Sequence, residues 1–235
     1  MSKKIKILIG IIYLLIILIT IIFFIKFDLK NFLNPVYFFK NLNEFRSIIN
    51  QNIEIVIILF SLLFIIWIFC LGIITPFVIF AGLTFDPWVA YLITIFSITV
   101  GSTILYLFSK LYFYDLVKKY FEKKYIKYLD KISKNKLFYY FLLRLIPGIP
   151  FPIKNVLPVI INLKTKIFVL ATILGETPAL VVNILIFNQV SSQLKNSDDF
   201  NLNSFFSKEF FLTLALVFLI MLFIKKMSKK YDFLS

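Results

Sequence analysis

The chain contains no histidine and only one cysteine, Cys70. Without histidine there is no imidazole for acid–base catalysis, no Ser–His–Asp triad and no His-ligated metal site. A single cysteine cannot form an internal disulfide. Glycine is scarce as well, with six residues, and neither GxGxxG nor GxxxxGK followed by Ser or Thr occurs. We therefore expect no enzymatic activity, no cofactor, no bound metal and no nucleotide-driven pump.

Apolar residues, in contrast, are abundant. Hydrophobic side chains make up 60% of the 235 residues, and several uncharged runs are long enough to span a bilayer. These features indicate an integral membrane protein. The formal net charge of +14 then favours contact with anionic lipid rather than with nucleic acid.

The distribution of lysine and arginine predicts the topology. Basic clusters at the N-terminus, in residues 110–136 and in the C-terminal tail should all face the cytoplasm. This requires two apolar segments to return to the side from which they entered, although residues 55–74 alone could span. We predict a multi-pass protein of a bacterial inner membrane with both termini cytoplasmic. The predicted crossings are 7–25, 88–109, 167–190 and 210–224, and the returning segments are 55–87 and 137–163.

The second returning segment combines apolar character with a broken backbone. Proline lacks the N–H of the helix ladder, so a run of prolines cannot lie in one regular helix. Opened backbone persists at membrane depth only where protein buries it or water solvates it. The crossings that follow the two returning segments carry Gly101 and Gly175. We predict an all-α polytopic fold, with an inverted repeat of two re-entrant hairpins, each followed by a transmembrane helix. The prolines lie at positions 147, 150, 152 and 158.

Two charged residues stand out in these apolar segments. Arg144 costs about 2.5–3.5 kcal/mol to insert and by default marks a functional position. The alternative is that its long side chain reaches the basic surface near Lys136. Glu176 lies in the middle of a crossing. It is either a partner of Arg144, structural or functional, or a carboxylate that takes up protons.

Other polar candidates are weaker. Asn155 and Lys154 lie where the second hairpin turns back, and Lys154 could also reach the interface. Asp86 precedes Pro87 in a turn, with Trp88 as an interfacial anchor. The segment 110–136, with nine lysines against three acids, is either a basic amphipathic helix on the membrane surface or a solvated connector.

The motif "RLIPGIPFPIKN" resembles the signature of the DedA or VTT-domain family, also called SNARE-associated Golgi proteins. The similarity extends over about residues 70–190. Its departures are Val159, Asp86, Lys110 and Glu176. Because the first hairpin lacks an internal acidic residue, the sequence resembles the TVP-like branch. The matching residues are Arg144, Pro147, Pro150, Phe151 and Asn155 in the motif, Gly82, Phe85, Pro87 and Gly101 before it, where Lys110 takes the place of a usual arginine, and Phe168, Thr172, Gly175 and Pro178 after it.

The resemblance implies two facing hairpins and movement of lipid across the bilayer, either phospholipid or polyprenyl phosphate. We expect Arg144, Asn155, Glu176 and Lys154 to bind the anionic head group. A structural role in the hairpins is expected of Pro147, Pro150, Pro152, Gly82, Gly101, Gly175 and Pro178.

Two alternatives remain open. One is an ion- or proton-coupled transporter of a small solute, and the other is a scaffold bound through residues 110–136. A homo-oligomer is compatible with either. The predicted organisation is an N-terminal helix and loop over 1–54, a VTT-like core over 55–190, and a loop, last helix and basic tail over 191–235.

Overall fold

The computed structural model describes residues 42–70, 72–112, 136–145 and 149–196, with single residues at 15, 18, 22, 114, 215 and 219. Within these ranges every regular element is helical. The elements are α1 (Leu42–Gln51), α2 (Ile53–Cys70), α3 (Thr75–Thr84), α4 (Pro87–Tyr112), α5 (Lys136–Leu145), α6 (Phe151–Val156), a 3-10 turn (Leu157–Val159) and α7 (Thr165–Asn196).

Three of these helices have the length and apolar composition needed to cross a membrane, namely Ile53–Cys70, Pro87–Tyr112 and Thr165–Ser192. They correspond to the long apolar runs of the sequence, the third of which contains Glu176. The predicted crossings 7–25 and 210–224, and most of the basic segment 110–136, lie outside the described ranges.

Helices α2 and α3 form a hairpin. Phe60 stacks on Phe80 (ring centroids 5.9 Å apart), whereas Phe64 stacks on Phe77 at 4.5 Å, so the two helices run antiparallel. Gly72 in the turn adopts a left-handed φ of 65°, which glycine accepts without a steric penalty. A Cβ at Gly72 would lie 2.6 Å from Pro152 Cγ, so this turn touches the start of α6.

A second hairpin is formed by α5 and residues 151–163. Lys136 Nζ donates to the Ile161 carbonyl at 2.8 Å, and Tyr140 Oη donates to the Lys154 carbonyl at 3.2 Å. Helix α5 and residues 151–163 therefore run in opposite directions. Both hairpins begin their second arm with a proline at the first turn, Pro76 in α3 and Pro152 in α6.

The two long helices α4 and α7 pack antiparallel. Tyr91 Oη and Thr177 Oγ1 are 2.9 Å apart at one end, and Tyr106 stacks on Phe168 at 4.5 Å towards the other. Tyr106 also donates a hydrogen bond to the Leu163 carbonyl. Helix α4 thus contacts the start of α7 and the end of the second hairpin, which leads directly into α7.

Residues 42–51 were expected to lie in a polar loop and instead form helix α1. Its inner face carries Arg46 and Ile49, three residues apart, and Ile49 is buried. Arg46 Nε donates to the Leu83 carbonyl at 3.2 Å, and its Nη2 donates to Ser191 Oγ. Burial lowers the pKa of the Arg46 guanidinium, while the Asp86 carboxylate acts in the opposite direction. Arg46 therefore joins α1 to the ends of α3 and α7.

We expect Arg46→Ala to destabilise the protein by about 1.5–3 kcal/mol, because it removes charged hydrogen bonds to partly buried acceptors. The apparent thermal midpoint of the detergent-solubilised protein should fall. Glu44→Ala, which truncates an exposed side chain of the same helix, is the control and should leave the midpoint unchanged. Equal midpoints for both variants would contradict a tethering role for Arg46.

Candidate functional site

Arg144 lies in the last turn of α5, and its side chain has no exposed surface. Its Nη1 donates to Glu176 Oε1 of α7 at 3.2 Å, and its Nη2 donates to Asn155 Oδ1 of α6 at 2.6 Å. One guanidinium therefore connects three helices. The sequence left open whether Arg144 reaches the surface or meets Glu176. In the structure Arg144 does not extend to the surface and forms an ion pair with Glu176.

Three aromatic rings surround the guanidinium. Its carbon lies 5.1 Å from the ring centroid of Tyr140, 5.3 Å from Phe151 and 5.2 Å from Phe168. Cation–π contacts of this kind are worth about 2 kcal/mol when desolvated. The rings therefore hold a buried cation that has one carboxylate partner among the residues that the structure describes. Sequence analysis gave Tyr140 no role, although its position four residues before Arg144 places it on the same helix face.

Lys154 does not point out to the interface. Its Nζ donates to the backbone carbonyl of Arg144 at 2.7 Å. Carbonyls in the last turn of a helix lack intrahelical donors, so α5 offers an acceptor inside the protein. Lys154 is itself nearly buried. A second cation therefore lies against the first.

Gly175 allows α5 and α7 to pack closely enough for these contacts to form. A Cβ there would collide with Arg144 Cβ and would lie 3.3 Å from the Phe141 carbonyl. With hydrogen at this position, α5 packs directly on α7, and the next residue, Glu176, reaches the guanidinium. The pair thus depends on a close helix contact as well as on charge.

Two N–H donors in the cluster have no acceptor. They are Arg144 Nε and Asn155 Nδ2, which account for half of the four buried, unpartnered side-chain polar atoms in the described ranges. A buried donor without an acceptor costs about 1–3 kcal/mol. Both donors belong to residues that already contact each other, and an oxygen-bearing acceptor that reached them would remove this cost.

The other predicted positions are spread over the fold. Pro150 precedes α6, Pro152 contacts the turn at Gly72, and Pro178 lies inside α7. Gly82 packs against α7, where a Cβ would lie 2.8 Å from Phe187 Cβ. Asp86 is exposed in the turn between α3 and α4. Pro147 falls outside the described ranges.

A charged cluster buried where the short helices α5 and α6 meet α7, an apolar helix of spanning length, defines a helical membrane protein with a polar site in its core. The VTT domain model matches residues 72–189, half of the chain. The chain therefore belongs to the VTT-domain family, as its sequence motif predicts. No solved structure matches it. The assignment to the TVP-like branch stays a prediction.

Proposed function

We infer that this protein moves the phosphate head group of an anionic lipid across the bilayer without hydrolysing nucleotide. The observation that carries this proposal is the buried Arg144, together with two unpartnered donors, its own Nε and the neighbouring Asn155 Nδ2. A guanidinium presents a planar fork that matches the oxygens of a phosphate. Arg144 Nε and Asn155 Nδ2 would donate to the head group, and Lys154 would add a second cation.

The architecture supports the proposal. We take the two hairpins to be re-entrant and related as an inverted repeat. In each unit the long helix runs parallel to the first arm of its own hairpin, with Gly101 against Ile68 in one unit and Gly175 against Arg144 in the other. The long helices themselves run antiparallel. This is the arrangement expected of two equivalent units inserted from opposite sides.

The outer surface suits the rest of a lipid. Apolar side chains are exposed along α2, α4 and α7, for example Leu62, Phe96 and Leu174. Acyl chains can stay in the bilayer beside these faces while the head group passes through the protein. Because Arg144 is fully enclosed, the second hairpin has to move away from α7 to admit a head group. Transport should therefore require opening of the α5–α7 contact.

The test is reconstitution in liposomes that contain a trace of fluorophore-labelled anionic phospholipid. A membrane-impermeant reductant bleaches the outer leaflet, and further bleaching reports lipid that arrives from inside. We expect bleaching well beyond one half with the protein and about one half without it. A neutral glycolipid with the same label is the matched substrate control and should move more slowly.

If no labelled lipid moves, polyprenyl phosphate included, the proposal fails, and solute transport through Glu176 becomes the hypothesis to test. If the neutral glycolipid moves as fast as the anionic lipid, Arg144 does not select the head group.

Membrane vesicles with tagged termini would test the predicted cytoplasmic location of both ends.

A further inference from the structure

The buried charges of the second hairpin do not cancel. Among the described residues, the buried charged side chains are Arg144, Lys154 and Glu176. Two cations and one anion leave one positive charge uncompensated. Burying a net charge away from water is unfavourable, so the cluster is most stable when one further negative charge joins it.

The unpartnered donors indicate which chemical group could supply the missing negative charge. Arg144 Nε and Asn155 Nδ2 both lack acceptors. A phosphodiester carries one negative charge on two non-bridging oxygens, so it would neutralise the cluster and accept from both donors. Lys154 has two ammonium hydrogens beyond the one given to the Arg144 carbonyl, and these can also serve the phosphate.

A phosphomonoester fits less well. Above its second ionisation, near about pH 6, it carries close to two negative charges. Its binding would leave the cluster with an excess negative charge beside Glu176, whose Oε1 lies 3.2 Å from Arg144 Nη1. Like charges in a desolvated site repel strongly and discriminate between ligands.

We propose that Glu176 makes this site selective for phosphodiester lipids over phosphomonoester lipids. The inference rests on the proposed function and narrows its substrate class. Removing the carboxylate charge would raise the cluster from one to two uncompensated positive charges. Glu176→Gln should therefore shift the preference towards the dianionic monoester.

The two probe lipids are phosphatidylmethanol and phosphatidic acid with identical labelled acyl chains. Their head groups differ by one methyl group and by the charge that the methyl group removes. The liposome assay is run at about pH 8, where the monoester is largely a dianion. For wild type we expect the diester to move about tenfold faster or more. For Glu176→Gln we expect the ratio to fall to about one or to reverse.

The ratio of the two rates protects the test against partial misfolding, because inactive protein lowers both rates equally. Should Glu176→Gln not insert, Glu176→Ser is the second variant. Serine already follows the corresponding glycine of the other unit, as Ser102 after Gly101, and is buried there. Asp86→Asn is the matched control, since it removes one carboxylate from an exposed turn and should keep the wild-type ratio.

The outcomes separate the two proposals. If wild type moves neither lipid and no polyprenyl phosphate, the proposed function fails. If it moves polyprenyl phosphate alone, which is a phosphomonoester, lipid transport stands and the selection for diesters is overturned. If wild type moves both at equal rates, lipid transport stands and the charge selection is overturned. A wild-type preference that persists in both Glu176 variants would likewise overturn the role of Glu176.

Discussion

Replacing Arg144 with alanine should abolish movement of anionic lipid, with a loss of at least about a hundredfold, since truncating a buried charged contact costs several kcal/mol. The fork that would bind the phosphate disappears, and Asn155 loses the donor that positions its side chain. Initial rates in the liposome assay, normalised to folded protein measured by size exclusion, give the result.

Arg144→Ala should also lower stability by about 3–5 kcal/mol, because it leaves the Glu176 carboxylate and the Asn155 amide oxygen buried without the donors that they have in wild type. Loss of fold could therefore imitate loss of function. The double variant Arg144→Gln with Glu176→Gln separates the two effects. Its buried cluster keeps the single positive charge of Lys154, so its net charge equals that of wild type.

We expect the double variant to regain most of the stability and none of the transport, because glutamine cannot replace a charged bidentate fork. Transport at the wild-type rate in the double variant would show that Arg144 only balances Glu176. Arg144→Lys is a further variant for the same test. It keeps the charge without the fork and should still be at least about tenfold slower.

Gly175→Ala is the second large effect. Its Cβ would collide with Arg144 Cβ, and side-chain atoms so close to the backbone cannot turn away. Helix α5 must shift from α7, which lengthens the contact between Arg144 and Glu176. Overpacking of this kind costs about 1–3 kcal/mol. We expect transport per folded protein to fall about tenfold, because a shift of about 1 Å in a positioned group is costly.

Gly101→Ala is the matched control for this effect. Its Cβ would lie 2.9 Å from Ile68 Cβ, so it crowds the corresponding helix contact of the other unit. Its thermal midpoint should fall by a similar amount, while transport per folded protein changes little, because none of the buried charged side chains in the described ranges lies at this contact. Equal losses of transport would mean that Gly175 acts through general packing alone.

The sequence predicted the rarest features of this fold. Arg144, Glu176 and the prolines violate the pattern of an apolar helix, and each marks the cluster or the hairpin around it. Apolar runs of sufficient length likewise predicted the helices that could span. Such signals are local, because one residue type in an apolar run is informative by itself.

Partner choice could not be predicted in the same way. The rings of Tyr140, Phe151 and Phe168 were three among 44 aromatic residues, and only the packing of α5, α6 and α7 together brings them to the guanidinium. For Lys154 the sequence left the interface open as an alternative to the head-group site, because an internal acceptor, the Arg144 carbonyl, is invisible in the sequence. Helix α1 was missed because its apolar face is short and Arg46 interrupts it.

The contact between Gly72 and Pro152 has an electrical consequence. If the hairpins are re-entrant as proposed, water can approach their meeting point from both sides, and the membrane potential would fall across a thin layer there. A singly charged head group crossing that layer would gain or lose about 2.3 kcal/mol for each 100 mV. In an energised cell with a negative interior, a passive route of this kind would accumulate anionic lipid in the outer leaflet rather than equalise it.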